Sequence, residues 1–255
     1  DLGNNAVMNN PELVKSIHKQ YIDIGCQYIT TANYGFKPRR QDNWKSLTKC
    51  ACNILYSLKK EHTFNMMASI PPYYESYQDG PVNHLFCDYY RTLVDIFEPY
   101  TDYYLLETCV SINHIMMIVE IIQMKSKKPI IVSIYPNSKI KKSDLLLITN
   151  IAGLMVNCCD FKTMLDFFKI VPNEFFTPKY FIGFYCNKID EVSYRHSCTS
   201  KTRPKELENF KNDDEITRDE IAYFIKKYGE DAKILIGGCC GYGVEEMKVL
   251  KTYLL

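Results

Sequence analysis

The stretch SINHIMMIVEIIQMKSKKPIIVSIY, residues 111–135, decides how this chain is read. Its first half, Ser111 to Lys125, is rich in Ile and Met but is cut by Asn113, His114, Glu120 and Gln123, the pattern of an amphipathic helix. Its second half, Ile130 to Tyr135, is a short and nearly continuous apolar run. Strands of that kind are covered on both faces, as in parallel sheets. A helix leading into such a strand is one unit of an α/β fold.

The unit repeats in both directions along the chain. Toward the N-terminus, helical patterns at about Asn83 to Phe97 and Asp42 to Lys60 precede strand patterns at Tyr103 to Glu107 and Asn65 to Ile70. The first expected helix has Asn10 to cap it, Pro11 in its first turn, an apolar face of Leu13, Val14, Ile17, Tyr21 and Ile24, and Gly25 to end it before the strand Gln27 to Thr31. Toward the C-terminus, helices at Ser143 to Asn150, Phe161 to Ile170 and Thr217 to Tyr228 precede strands at Gly153 to Asn157, Tyr180 to Tyr185 and Lys233 to Gly237, and a last helix starts near Val244. Seven strands and eight helices are expected, beginning with a helix. Such units build either a doubly wound sheet or a (β/α)8 barrel. No G-x-G-x-x-G phosphate turn supports the first. An eight-fold barrel needs one more strand before Pro11, so it is expected with its first strand lost or outside this sequence. The polar stretch from Asn187 to Thr217, with Arg195, His196, Arg203 and the run Asp213-Asp214-Glu215, would be a solvated insertion at the C-terminal mouth.

Composition removes several classes of function. Lys and Arg number 31 against 30 Asp and Glu, so the net charge is +1 and there is no footprint for nucleic acid or an anionic membrane. No apolar run reaches the roughly 18 residues of a membrane span, and no signal-peptide pattern opens the chain. Eleven cysteines, an odd number without the density of a disulfide scaffold, suit a reducing compartment, so a cytoplasmic protein is expected. Two pairs are vicinal, Cys158-Cys159 and Cys239-Cys240.

Those pairs close two strands. One unit ends Gly153-Leu154-Met155-Val156-Asn157-Cys158, and the final strand ends Ile236-Gly237-Gly238-Cys239-Cys240-Gly241. In a barrel both ends face the same mouth, where Cys158, Cys239 and Cys240 could meet. Three thiolates suit zinc and leave its fourth position open, the arrangement of a catalytic site. The flanking glycines permit the tight backbone path that adjacent ligands demand. Buried cysteines acting only as small hydrophobes, or a dithiol redox couple, are the alternatives from the residues alone.

Gly237-Gly238-Cys239-Cys240-Gly241 and Val156-Asn157-Cys158 resemble the two cysteine motifs of the homocysteine S-methyltransferase family. Further matches follow in order: Asn10-Pro11-Glu12-Leu13-Val14, His18, Tyr21 and Gly25, then Ile29-Thr30-Thr31-Ala32-Asn33-Tyr34, Ala68-Ser69-Ile70, Leu105-Leu106-Glu107-Thr108, and Tyr185 with Asn187. The resemblance spans almost the whole chain. It implies a TIM-type barrel forming one homocysteine-binding domain over residues 1–255, with Cys158, Cys239 and Cys240 holding Zn2+. It implies methyl transfer to homocysteine, giving methionine, from S-methylmethionine, S-adenosylmethionine or an ammonium donor such as betaine. Glu107 would hold the substrate ammonium, with Thr31 and Asn157 as further substrate contacts. Cys186 stands where the family has Pro, Pro71 where it has Gly, and Cys159 is an extra thiol able to compete as a ligand. Asp1-Leu2-Gly3 lies too close to Pro11 to be the family's Asp-Gly-Gly motif. A degenerate zinc-binding barrel without turnover and a thiol-redox barrel are the alternative functions.

Overall fold

The computed structural model describes residues 2–136, 139–188, 216–229 and 231–254. The expected mouth insertion, including Arg195, His196, Arg203 and the acidic run, lies outside the described residues, as does Asp1. In chain order the elements are α1 (Leu2–Asn9), α2 (Pro11–Asp23), β1 (Tyr28–Thr30), α3 (Trp44–Leu58), β2 (Asn65–Ile70), α4 (His84–Phe97), β3 (Tyr103–Cys109), α5 (Ile112–Lys125), β4 (Ile130–Ile134), α6 (Lys142–Leu145), β5 (Gly153–Asn157), α7 (Phe161–Phe168), β6 (Phe181–Cys186), α8 (Arg218–Tyr228), β7 (Lys233–Gly238) and α9 (Val244–Thr252). Every expected strand is present. The expected Ser143 to Asn150 helix shrinks to one turn, and α1 was not expected. Its Gly and three Asn are poor helix formers, and it is held by packing, with Val7 buried beneath it.

Local chemistry sets the helix starts. Asn10 accepts from the Leu13 N–H at 3.3 Å, with Pro11 in the first turn. Asn83 accepts from the Phe86 N–H at 3.0 Å, and Thr217 with Glu220 forms a reciprocal capping box on α8. No helix among the described residues is long and apolar enough to cross a membrane.

All seven strands are parallel and pair in sequence order, β1 to β7. Their residues alternate between two cores. Met66, Ala68, Tyr104, Leu106, Val132, Leu154, Val156 and Phe184 face the helices. Met67, Leu105, Ile131, Met155 and Tyr185 face inward and form a separate interior cluster. Curvature is visible in the rings at its base. Tyr28 of β1 lies 5.5 Å from Tyr103 of β3 and 5.9 Å from Phe181 of β6, five strands away in the sheet. A flat sheet would hold β1 and β6 more than 20 Å apart at about 4.8 Å per strand. The sheet is therefore rolled into a TIM-type barrel with side chains filling its interior.

The roll stops short of a closed ladder: among the described residues, β1 and β7 are the two sheet edges. Helices bridge the seam. Tyr21 of α2 donates to the Tyr242 carbonyl at 3.3 Å, and Lys251 of α9 donates to the Ile24 carbonyl at 2.8 Å. A cavity of about 350 Å³ runs from the interior to this seam, with His18, Tyr28, Glu107, Tyr185, Gly237 and Cys239 in its wall.

Candidate functional site

Parallel strands in a barrel deliver their C-terminal ends to one mouth, and the polar side chains gather there. β5 ends at Asn157, and Cys158 turns the chain with a φ of 57° before Asp160 caps α7 through the Thr163 N–H at 2.8 Å. At the end of β7, the Cys239 N–H continues the ladder onto the Cys186 carbonyl at 2.8 Å. The Cys240 N–H donates to Asn187 Oδ1 at 3.2 Å, and Gly241, with φ of 87°, turns the chain toward α9. A residue with a Cβ would be strained there.

These two turns bring the three expected sulfurs together. Cys158 Sγ lies 3.1 Å from Cys239 Sγ, Cys239 Sγ lies 3.9 Å from Cys240 Sγ, and all three fall within 4.8 Å of one another. Four sulfurs placed tetrahedrally at a zinc–sulfur distance of about 2.3 Å are about 3.8 Å apart, so this donor set fits a thiophilic metal in both spacing and chemistry. Among the described residues it is the only such cluster of three. Cys159 does not join it. Its side chain, like that of Cys186, packs in the core on the helix side, because the backbone reverses at Cys158. Hydrogen bonds from the Cys239 and Cys240 thiols pull the Cys158 pKa well below the usual thiol range, helped by the Tyr77 and Thr108 hydroxyls and opposed by burial.

Behind Cys158 lies a network that spans three strand ends. The Asn157 carboxamide oxygen accepts from the Thr108 N–H at 3.1 Å and from the Ser133 hydroxyl at 2.7 Å. Its nitrogen donates to Thr108 Oγ1 at 2.9 Å and to Cys158 Sγ at 3.2 Å. Asn157 is 0% exposed. Thr108 also adopts a left-handed φ, 56°, next to a register shift between β3 and β4 that spans Leu106 to Cys109. Such bulges re-aim side chains at sheet ends. Here the bulge carries Glu107.

Glu107 stands in the cavity wall, where burial pushes its carboxyl up to about 7 against the opposing effect of the Ser69 hydroxyl. Tyr185, on the neighbouring wall, has its phenol raised well above the usual value by burial and by Glu107. Thr31 sits on the same rim. Its hydroxyl donates to Asn33 Oδ1 at 2.6 Å and accepts from the Ser69 N–H at 3.0 Å, and it is Thr30 that lines the cavity. The expected residues therefore divide: the three cysteines converge, Glu107 faces the cavity, and Thr31 and Asn157 are engaged by protein groups.

Sequence reasoning did not single out Ser69, Ser133, Thr108, Tyr34 or Tyr77 as site residues. Tyr34 bonds to Ser76 Oγ at 2.8 Å and to Thr108 Oγ1 at 3.3 Å, and the Tyr77 ring packs 4.4 Å from that of Tyr135. One signal was available. Ser69 and Ser133 are hydroxyl residues placed late in otherwise buried strands, where a packing role alone would favour an apolar side chain.

The profile of the homocysteine S-methyltransferase family matches residues 1–254. The chain belongs to the homocysteine S-methyltransferase family. Among solved structures, the metallated form of the homocysteine methyltransferase MmuM from Escherichia coli superposes with a TM-score of 0.68 at 16% identity, over 98% of this chain and 87% of that one. Its apo form gives 0.66 at 16% identity, over 98% and 88%. A mandelate racemase/muconate lactonizing enzyme from a Jannaschia species gives 0.52 at 9% identity, over 93% and 52%. At these identities the structural likeness shows the barrel fold alone, and family membership rests on the sequence profile. No curated protein matches the chain in sequence.

Proposed function

We propose that this chain is one barrel domain that binds Zn2+ through Cys158, Cys239 and Cys240 and transfers a methyl group to homocysteine, giving methionine. One observation carries the reading: three cysteine sulfurs within 4.8 Å at the edge of a cavity whose wall also holds the half-buried carboxyl of Glu107. A homocysteine molecule has a thiol at one end and an ammonium at the other, and this site offers a partner to each. Bound zinc would lower the pKa of the substrate thiol, which is near 8.5 when free.

The chain's own residues supply the rest. Glu107 receives the substrate ammonium, and that cation stabilises the carboxylate that burial otherwise disfavours. The inward cluster of Met67, Leu105, Ile131 and Met155 keeps the floor of the cavity dry. Thr31 fixes the rim between β1 and β2, and Asn157 acts through Cys158. In the transfer, the substrate sulfur forms a bond to the methyl carbon as the bond from that carbon to a sulfonium sulfur or ammonium nitrogen breaks. The donor leaves as a neutral thioether or amine. S-methylmethionine and S-adenosylmethionine are the proposed sulfonium donors, and betaine is the ammonium alternative.

A second reading is a metal-binding barrel without turnover. Metal analysis of anaerobically purified protein, followed by a methionine-formation assay with each donor, separates the two. About one zinc per chain, lost in Cys239→Ala, with methionine formed, supports the enzyme. Zinc without methionine from any donor supports the second reading. No zinc in reduced protein overturns both in favour of thiol chemistry.

A further inference from the structure

The contacts of Asn157 assign it a role in holding the metal ligand. We infer that Asn157 is a positioning residue that aims Cys158 at the metal and gives its sulfur an N–H hydrogen bond. This inference rests on the metal-binding reading above.

Geometry fixes the identity of each amide atom. The Thr108 backbone N–H can only donate, so the atom 3.1 Å from it is the Asn157 oxygen. The nitrogen then faces Thr108 Oγ1 at 2.9 Å and Cys158 Sγ at 3.2 Å. A sulfur bound to a metal has no proton, so Cys158 can only accept. The Thr108 hydroxyl already receives bonds from Asn157 and, at 3.3 Å, from Tyr34. Its own proton remains for Cys158 Sγ, 3.9 Å away. Cys158 thus faces the Asn157 N–H and the Thr108 hydroxyl, with the Tyr77 hydroxyl as a third neutral donor.

The same side chain bonds to two residues with left-handed backbone at the mouth, Thr108 and Cys158. It also ties the ends of β3, β4 and β5 together through Ser133. A fully engaged, solvent-free amide has no group left for a substrate, whereas outer-shell hydrogen bonds orient metal ligands and tune their charge. Three thiolates around a dication carry a net negative charge. An N–H aimed at one sulfur drains part of it without adding a formal charge.

Asn157→Asp tests the idea because it preserves shape while replacing the N–H donor with an oxygen. Zinc affinity is measured by competition with a chromophoric chelator, and the Co(II)-loaded protein by absorption. The expected result is an affinity loss of roughly 10–100-fold and a shift of the sulfur-to-cobalt charge-transfer band to longer wavelength, with tetrahedral d–d bands retained. A purely structural role would lower thermal stability without moving that band. Thr108→Val, which removes the second donor at nearly constant volume, should move the band in the same direction by less, and it serves if Asn157→Asp does not fold. An unmoved band in both variants, with zinc affinity within about twofold of the unsubstituted chain, overturns the assignment alone. Failure of the unsubstituted chain to take up zinc or cobalt overturns the metal-binding reading as well.

Discussion

Cys158 and the Cys239-Cys240 pair reach the same point from unlike surroundings. Cys158 ends β5, near the middle of the sheet. It is buried, its N–H bonds to the Tyr185 carbonyl at 3.3 Å, and Asn157 braces it against two further strands. Cys239 and Cys240 follow β7, an edge strand whose residues from Ile234 onward are only partly buried. The Cys239 N–H bonds to the Cys186 carbonyl, the Cys240 N–H to Asn187 Oδ1, and the Cys240 carbonyl accepts from the Lys188 N–H. A metal at this point would join a rigid wall to a more pliable one. In the proposed function, a pliable half would let the ligand set adjust to substrate, while the rigid half would fix its place.

The largest expected effect breaks the junction itself. Cys158→Ala or Cys239→Ala should each abolish metal binding and methyl transfer, despite their different surroundings, because two thiolates do not make a closed-enough site. Metal analysis and the methionine assay check this. Gly183→Ala attacks the link between centre and edge: a Cβ there would sit 1.7 Å from the Leu235 carbonyl oxygen. It should destabilise the protein by more than about 4 kcal/mol or prevent folding, read by urea denaturation and soluble yield.

Truncations weigh the two walls against each other. Leu154→Ala in β5 removes a 0% exposed side chain and should cost about 2–5 kcal/mol. Ile236→Ala in β7 removes a partly buried one and should cost about half as much. Equal losses would mean that the edge is as firmly packed as the centre.

Glu107 gives a pH signature. Its folded pKa of about 7 lies above the reference value of 4.5, so between these pH values the folded state binds more protons than the unfolded state. This group's contribution is then full below about pH 4.5 and is lost as pH rises through 7. Glu107→Gln should raise the stability of ligand-free protein at pH 8 by about 1–3 kcal/mol, flatten that slope, and raise the KM for homocysteine. The smallest expected effect is kinetic. In hydrogen exchange, amides of β7 should exchange faster than those of β4, and a chelator should widen the difference. A uniform response would remove the contrast between the walls.

Much of the fold was legible because its signals are local. Runs such as Ile130 to Ile134 and caps such as Asn10 or Thr217 act through neighbours a few residues away. Helix α1 was missed because packing around Val7, and not propensity, holds it. The α6 region was overextended because Leu145 and Ile148 are spaced as on one helix face, but the helix ends at Leu145 and Ile148 is buried from the loop. At the site, Cys158, Cys239, Cys240 and Glu107 carry their chemistry in their type and motif. Ser133 and Thr108 do not, since serine and threonine in strands have many ordinary uses.

The sequence by itself determined the alternation of helices and parallel strands, the family, and which three sulfurs stand at strand ends. Tertiary structure alone decided that those sulfurs lie within 4.8 Å, that Cys159 turns away from them, and that Asn157 faces a sulfur and not the cavity. The reason is range. Periodicity and capping are settled within a few residues of chain, whereas Asn157 reaches Thr108 across 49 residues and Cys158 reaches Cys239 across 81, distances that only the rolling of the sheet removes.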